Sequence, residues 1–322
     1  MRLTRHPMST SGGDLAFVGL LALLFAAGCA TTDRPSPAAP ANARDLAPDH
    51  STSSTSDMPP PSRAPLPERL ALRIIDCGRI DGADPAAFGF PADLRPARGD
   101  MFVPCYLVEH PNGRMIFDTG LPAAVAQMPQ GMTQNGMTMT LERSLVESLR
   151  DLVDLSPSDI DFLALSHMHF DHAGQANDFA ASIWLVQRAD YESAFGDSPP
   201  LGAQPNTYSA LKSSERKLLD GDHDVFGDGS VLLISTPGHT PGHQALFLRL
   251  PETGNLVLSG DLYHYPESRE HGLVPIFNTD PDQTRASMNR IESLLEQTGA
   301  DLWIEHDAAL AESLQLAPHA YR

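Results

Sequence analysis

The segment SHMHFDHAG, Ser166–Gly174, sets His167, His169, Asp171 and His172 within six residues, directly after the apolar run FLAL. Imidazoles and carboxylates at that density are either metal ligands or the polar cluster of a solvated turn, and the rest of the chain decides between them. Three further strand-like runs lead straight into a metal-competent side chain: VLLISTPG into His239, NLVLSG into Asp261 and DLWIE into His306. In layered α/β folds the ends of neighbouring strands converge on one rim, where loops carry polar groups without disturbing the core. One rim would then gather seven ligands. Seven exceed what one tetrahedral zinc takes, but they suit two divalent ions that each use three protein groups and share a bridging carboxylate. His-x-His in an extended turn directs alternate side chains to one ion, while Asp171 and His172, one step on, turn towards the other. With no thiolate in the set, Zn²⁺ or a similar divalent ion is expected.

The elements that must hold these residues begin near Leu70, where β-rich runs start to alternate with helical patterns, as in an α/β layered domain of about 250 residues around one core. LALRIID, FVPCYLVEH and RMIFD read as early strands, the last two joined by the turn Pro111–Gly113. Leu141, Leu145, Leu149 and Leu152 recur at helical spacing in TLERSLVESLRDL. Asp280 and Pro281 form the cap and first position of a late helix that buries Met288, Ile291, Leu294 and Leu295 and stops at Gly299. The methionine-rich stretch MPQGMTQNGMTM, from Met128 to Met139, is expected to be either an apolar lid or a surface loop packed by its methionines.

Ahead of this domain the composition changes. Arg2, Arg5 and His6 precede the apolar run Leu15–Gly28, which is shorter than the roughly 20 residues of a membrane span, so residues 1–29 read as a cleaved export signal. AAGC, Ala26–Cys29, resembles a bacterial lipobox, which would leave Cys29 acylated. Residues 30–67 are rich in Pro, Ser and Thr and nearly free of large apolar side chains, and a disordered tether is expected there. The protein is therefore expected in the periplasm or anchored to a membrane by lipid, with one folded domain at 68–322. The five basic and five acidic residues up to Leu66 cancel, leaving the whole net charge of −19 on the rest of the chain. Such a surface repels phosphate backbones and anionic headgroups, which excludes nucleic acid and polybasic membrane binding and favours small neutral substrates. Cys77 and Cys105 lie in strand-like segments and either pair as a disulfide between neighbouring strands or remain buried thiols.

HMHFDH matches the HxHxDH signature of the metallo-β-lactamase superfamily, and FDTG at Phe117–Gly120, TPGHTPGH, SGD at Ser259–Asp261 and the terminal EHD follow in the family's order. The sequence resembles that superfamily from about Leu70 to its end. The resemblance implies an αβ/βα four-layer sandwich of two mixed β-sheets flanked by helices. It implies that His167, His169 and His239 bind one metal, that Asp171, His172 and His306 bind the other, and that Asp261 bridges. His169, where the diiron relatives place glutamate, implies hydrolysis over redox chemistry, and the bridging Asp261 separates this chain from the β-lactamases proper. Asp118 would either orient a ligand histidine or cap its own turn.

Within the superfamily, VPCYLVEHPNGRMIFDTG, GDLYHYPE, IFNTDPDQTRASMNRIE and LWIEHD look like the N-acyl homoserine lactonase branch. That branch implies quorum quenching by lactone opening, in which a hydroxide bridging the metals attacks the carbonyl and Asp171 or Asp261 hands a proton to the leaving oxygen. Those lactonases carry a catalytic tyrosine three residues after the bridging aspartate, where this chain has His264 between Tyr263 and Tyr265. His264 and Tyr263 are the candidates for that donor, a polar filler being the alternative for His264. A histidine there is similar to the organophosphate-hydrolysing members, so a phosphotriesterase or arylesterase on the same metals is the competing reading. A glyoxalase II-type enzyme needs a further helical domain, and the 61 residues after Asp261 are too few. A lipoprotein that keeps the fold without catalysis would be expected to lack ligands. His223 and His243 fall outside the ligand set, and His110 and His319 read as solvated. A lactone or ester is the expected partner, and a homodimer is compatible with the sequence.

Overall fold

The computed structural model describes residues 66–197 and 199–322. The export signal and nearly all of the Pro/Ser/Thr-rich segment fall outside them. Eight strands form the first sheet: β1 (Ala71–Asp81), β2 (Met101–His110), β3 (Gly113–Phe117), β4 (Met132–Gln134), β5 (Met137–Thr140), β6 (Phe162–Ala164), β7 (Ile183–Gln187) and β8 (Arg216–Leu219). Their spatial order is β4-β5-β1-β2-β3-β6-β7-β8. Pairing is antiparallel through β3 and parallel from β3 through β8. The second sheet holds β9 (His223–Asp224), β10 (Val231–Ser235), β11 (Gln244–Leu250), β12 (Gly254–Leu258) and β13 (Asp301–Trp303), in the order β13-β12-β11-β10-β9.

Alternation along the strands builds the layers. On β2, Phe102, Tyr106 and Val108 face inward and meet Leu233, Leu246, Leu248 and Leu258 of the second sheet, while Cys105 and Leu107 face outward. The outward side of the first sheet is covered by α1 (Leu145–Val153) through Leu145 and Leu149. The outward side of the second is covered by α5 (Pro281–Thr298) through Met288, Ile291, Leu294 and Leu295, which pack on Ile234, Phe247 and Val257. Helix, sheet, sheet and helix give the expected four layers. Asp280 caps α5 by accepting from the N–H groups of Asp282 and Gln283, and Gly299 ends it at φ 63°. The first helix starts later than its leucine spacing suggests, because Ser144 and Glu147 form a reciprocal capping box; Leu141 is buried ahead of the helix.

Two other differences touch the site. Most of MPQGMTQNGMTM is not an irregular loop: Asn135 and Gly136, at φ 51° and 83°, turn Met132–Thr140 into the β4-β5 hairpin that extends the sheet beside β1. Cys77 and Cys105 are joined as a disulfide, with Cα atoms 5.7 Å apart, where a bulge in β1 shifts its register against β2. Among the described residues no helix is long and apolar enough to cross a membrane.

Candidate active site

Four strands of the two sheets end at one rim. β6 runs into Ser166–His172, β10 into Thr236–His239, β12 into Ser259–Asp261 and β13 into Ile304–His306. The first polar residues after these apolar strands emerge together, and the seven side chains expected from sequence share this rim. The ligand atoms of His167, His169, His239 and Asp261 lie within 4.8 Å of one another, and so do those of Asp171, His172 and His306. Nε2 of His239 is 3.2 Å from Nε2 of His167 and 3.1 Å from Nδ1 of His169, and Nε2 of His172 is 3.3 Å from Nε2 of His306. Asp261 stands between the groups. Its Oδ2 is 3.1 Å from His239 and 3.4 Å from His167, whereas its Oδ1 is 3.1 Å from His172 and 3.0 Å from His306.

This arrangement fits a pair of divalent ions. Donor atoms at about 2.0 Å from a tetrahedral centre are about 3.3 Å apart, the spacing seen here. Oδ1 of Asp261 is moreover a buried acceptor with no hydrogen-bond partner among the described residues, an expensive state unless a cation answers it. Burial, reinforced by neighbouring imidazoles, holds His167 and His169 well below the ordinary histidine range, so both are neutral with a lone pair free. Burial is the largest single influence on His172 and His306 and opposes their charge, but the carboxylates of Asp261 and Asp171, with Asp118 at His172, together outweigh it, and both are raised.

At His172, His239 and His306 the other ring nitrogen is occupied, which fixes the imidazole. Nδ1 of His172 is 2.8 Å from Oδ2 of Asp118, whose Oδ1 accepts from the N–H of Ser166 at 2.6 Å. Asp118 thus orients a ligand and ties its turn at once, in a left-handed conformation at φ 61°. Nδ1 of His239 meets Oδ1 of Asn278 at 2.8 Å, and Nδ1 of His306 donates to the carbonyl of Phe102 at 2.8 Å. Asn278 lies inside IFNTDP, yet nothing in its local sequence marks it as the partner of a residue 39 positions away. Glu305 was also missed: its buried carboxyl stands 3.6 Å from Nδ1 of His172, and burial together with Asp118 raises it well above the usual carboxyl range.

His264 and Tyr263 part company. Nε2 of His264 is 3.0 Å from Oδ2 of Asp261, and its ring packs 5.2 Å from His239 and 5.8 Å from His306, over the bridging position. Tyr263 turns the other way, because the backbone there is extended and successive side chains oppose. Its hydroxyl donates to Glu292 at 2.8 Å, beside the bidentate grip of Arg269 on that carboxylate. The expectation of a catalytic Tyr263 is corrected on that ground: its hydroxyl is used in holding α5. Tyr265 lies in an apolar cluster with Phe88 and Phe90. Phe277, 5.9 Å from His239 and 6.1 Å from His264, and Phe88, 5.0 Å from His264, form an apolar wall beside the imidazoles. His243 is fully buried and belongs to neither ligand group. His110 is not solvated either; it stacks on Phe226 and pairs with Asp228.

Residues 98–302 match the family described as the Metallo-beta-lactamase superfamily. The chain belongs to that superfamily. An N-acyl homoserine lactonase, AttM, of Rhizobium johnstonii is 30% identical over 238 residues, covering 68% of this chain and 87% of the relative. The N-acyl homoserine lactonase AiiA of Bacillus thuringiensis subsp. kurstaki is 30% identical over 220 residues, covering 66% and 84%. A solved N-acyl homoserine lactone hydrolase, with the product N-hexanoyl-L-homoserine bound at its catalytic metal centre, superposes with a TM-score of 0.67 at 27% identity, covering 78% of this chain and 99% of that one. This superfamily member sets its metal-competent residues on the strand-end rim of a two-sheet sandwich, with helices outside both sheets.

Proposed function

We propose that this chain is a dinuclear metal-dependent hydrolase that opens the ring of N-acyl homoserine lactones. The observation that carries the reading is the division of the two Asp261 oxygens between two converging groups of buried ligands. His167, His169 and His239 would hold one ion, Asp171, His172 and His306 the other, and Asp261 both. The donor set favours Zn²⁺. The chemistry that such ions supply when bound is Lewis acidity towards a carbonyl and activation of water at neutral pH.

This chain's own residues do the rest. His264 stands over the bridging carboxylate, where its imidazole can hydrogen bond to a carbonyl or ring oxygen of the substrate. Asp171, the least enclosed of the seven with a tenth of its side chain exposed, is the group that can pass a proton to the leaving alkoxide. Phe88 and Phe277 keep water from the reacting oxygen and receive an apolar acyl substituent. An imidazole at 264, where the lactonases carry a phenol, favours arylesters or phosphotriesters as the second substrate class.

Export is part of the same reading, supported by the charged and apolar N-terminal pattern up to Cys29 and by the Cys77–Cys105 disulfide, which persists in an oxidising compartment. Lipid attachment through Cys29 would leave the enzyme at a membrane surface. Metal analysis of the purified protein, with assays of acyl homoserine lactones, phenyl acetate and paraoxon, tests the function. Two equivalents of metal with lactone opening are expected. Hydrolysis of the phosphotriester without lactone opening selects the second reading, and a protein that takes up no metal overturns both.

A further inference from the structure

The second histidine of TPGHTPGH, His243, immediately precedes β11, between the ends of β10 and β12, and is fully buried. Its Nε2 is 2.9 Å from the peptide nitrogen of Asp261. That N–H can only donate, so Nε2 must be the bare acceptor and the ring proton must sit on Nδ1. Nδ1 in turn faces the carbonyl oxygen of Thr236 at 3.1 Å, which can only accept, and the hydroxyl of Thr236 at 2.8 Å. The residues themselves therefore fix the tautomer. Gly260 completes the seat: at φ 52°, a Cβ on it would lie 2.6 Å from Nε2, so only glycine leaves the ring room to reach the next peptide. The N–H of Thr236 also donates to the backbone carbonyl of His243 at 2.8 Å, so this one residue, by ring and backbone, ties three neighbouring strand ends together.

We propose that His243 is the positioning residue for Asp261, fixing through that peptide N–H how the two carboxylate oxygens divide between the ligand groups. The proposal rests on the dinuclear reading above. The carbonyl of Thr236 at Nδ1 leaves Nε2 as the acceptor for that N–H. Without this acceptor the N–H of Asp261 is a buried orphan, and the turn Gly260–Leu262 must shift to satisfy it. A shift of Asp261 disturbs both metals at once. Asn278, by contrast, holds Nδ1 of His239 alone and bears on one.

The test compares His243→Leu, which keeps volume but accepts nothing, with His243→Gln, whose amide can accept from Asp261 and donate to Thr236, and with Asn278→Ala. Each full-length apo protein is titrated with Zn²⁺ against a chromophoric chelator, with circular dichroism and the apo melting temperature recorded in parallel. His243→Leu is expected to weaken both equivalents by about 10–100-fold, Asn278→Ala to weaken one, and His243→Gln to recover most of the loss. Equal behaviour of the Leu and Gln variants, or loss of a single equivalent in His243→Leu, overturns the proposal. If His243→Leu does not fold, His243→Gln decides: near-wild-type affinity for both equivalents supports the proposal, and weakened binding overturns it. A wild type that binds fewer than two equivalents overturns the dinuclear reading itself, so the two failures are told apart.

Discussion

The two halves of the centre are built from different materials. Around His167, His169 and His239 the surroundings are imidazole and aromatic ring, with Phe277 beside His239 and Asn278 as a neutral hydrogen-bond partner. Around Asp171, His172 and His306 the surroundings are carboxylate, with Asp118 on Nδ1 of His172 and Glu305 behind it. The shared Asp261 aside, the first half offers neutral donors and the second offers charge. Two cations of one kind would therefore meet different fields, and the two halves are not interchangeable. The polar half joins the first sheet's FDTG turn and the Asp171–His172 end of the signature loop to Glu305 and His306 at the end of β13 in the second sheet, while the aromatic half lies against Phe277.

The largest effect expected of any change is at the shared residue: Asp261→Ala should remove both metal equivalents and all turnover, read by metal analysis and assay together. Retention of one full equivalent would show that the halves do not depend on a common carboxylate. One step down, His169→Ala and His306→Ala should each abolish turnover yet cost one equivalent, from different halves. Next, His264→Ala should lower kcat by about 10²–10³-fold with metal content unchanged, as for loss of a single oxyanion donor. An unchanged kcat would reduce His264 to a packing residue. Asp118→Ala and Asn278→Ala, one on each half, should lower metal affinity by about 10–100-fold, the charged partner costing more. Smallest is Tyr263→Phe: about 0.5–1.5 kcal/mol of stability by denaturant unfolding, with kcat unaltered. A fall in kcat there would return Tyr263 to the catalytic site.

The clustering of these seven side chains was legible because four apolar strand-like runs lead into them, and a chain leaving the core at a strand end turns polar there. Four layers were legible for the same reason, since period-2 and helical patterns specify which faces must be covered. The partners of the ligands were not legible. His306 is fixed by the carbonyl of Phe102, 204 residues away, and any residue type carries a carbonyl. His243 read as a bystander because its role passes through a peptide N–H, a group that every position but proline possesses. Tyr263 and His264 were inseparable in sequence; only the extended backbone, which sends neighbours to opposite sides, told them apart.

Gly120 closes the FDTG turn that presents Asp118 to His172, and it lies directly on the disulfide: a Cβ added there would fall 2.2 Å from Cβ of Cys77 and 3.1 Å from Sγ of Cys105. The N–H of Leu121 donates to the carbonyl of Cys77 at 3.2 Å, so bond and turn share a wall. A crosslink spanning 28 residues is worth about 3.5 kcal/mol in chain entropy, a sizeable part of the stability of a domain. The place of manufacture is thereby written into the catalyst. Made in a glutathione-rich cytoplasm, the chain would fold around two thiols and seat its metal-orienting turn on a softer foundation, so batches from reducing and oxidising hosts would share one sequence and differ in durability.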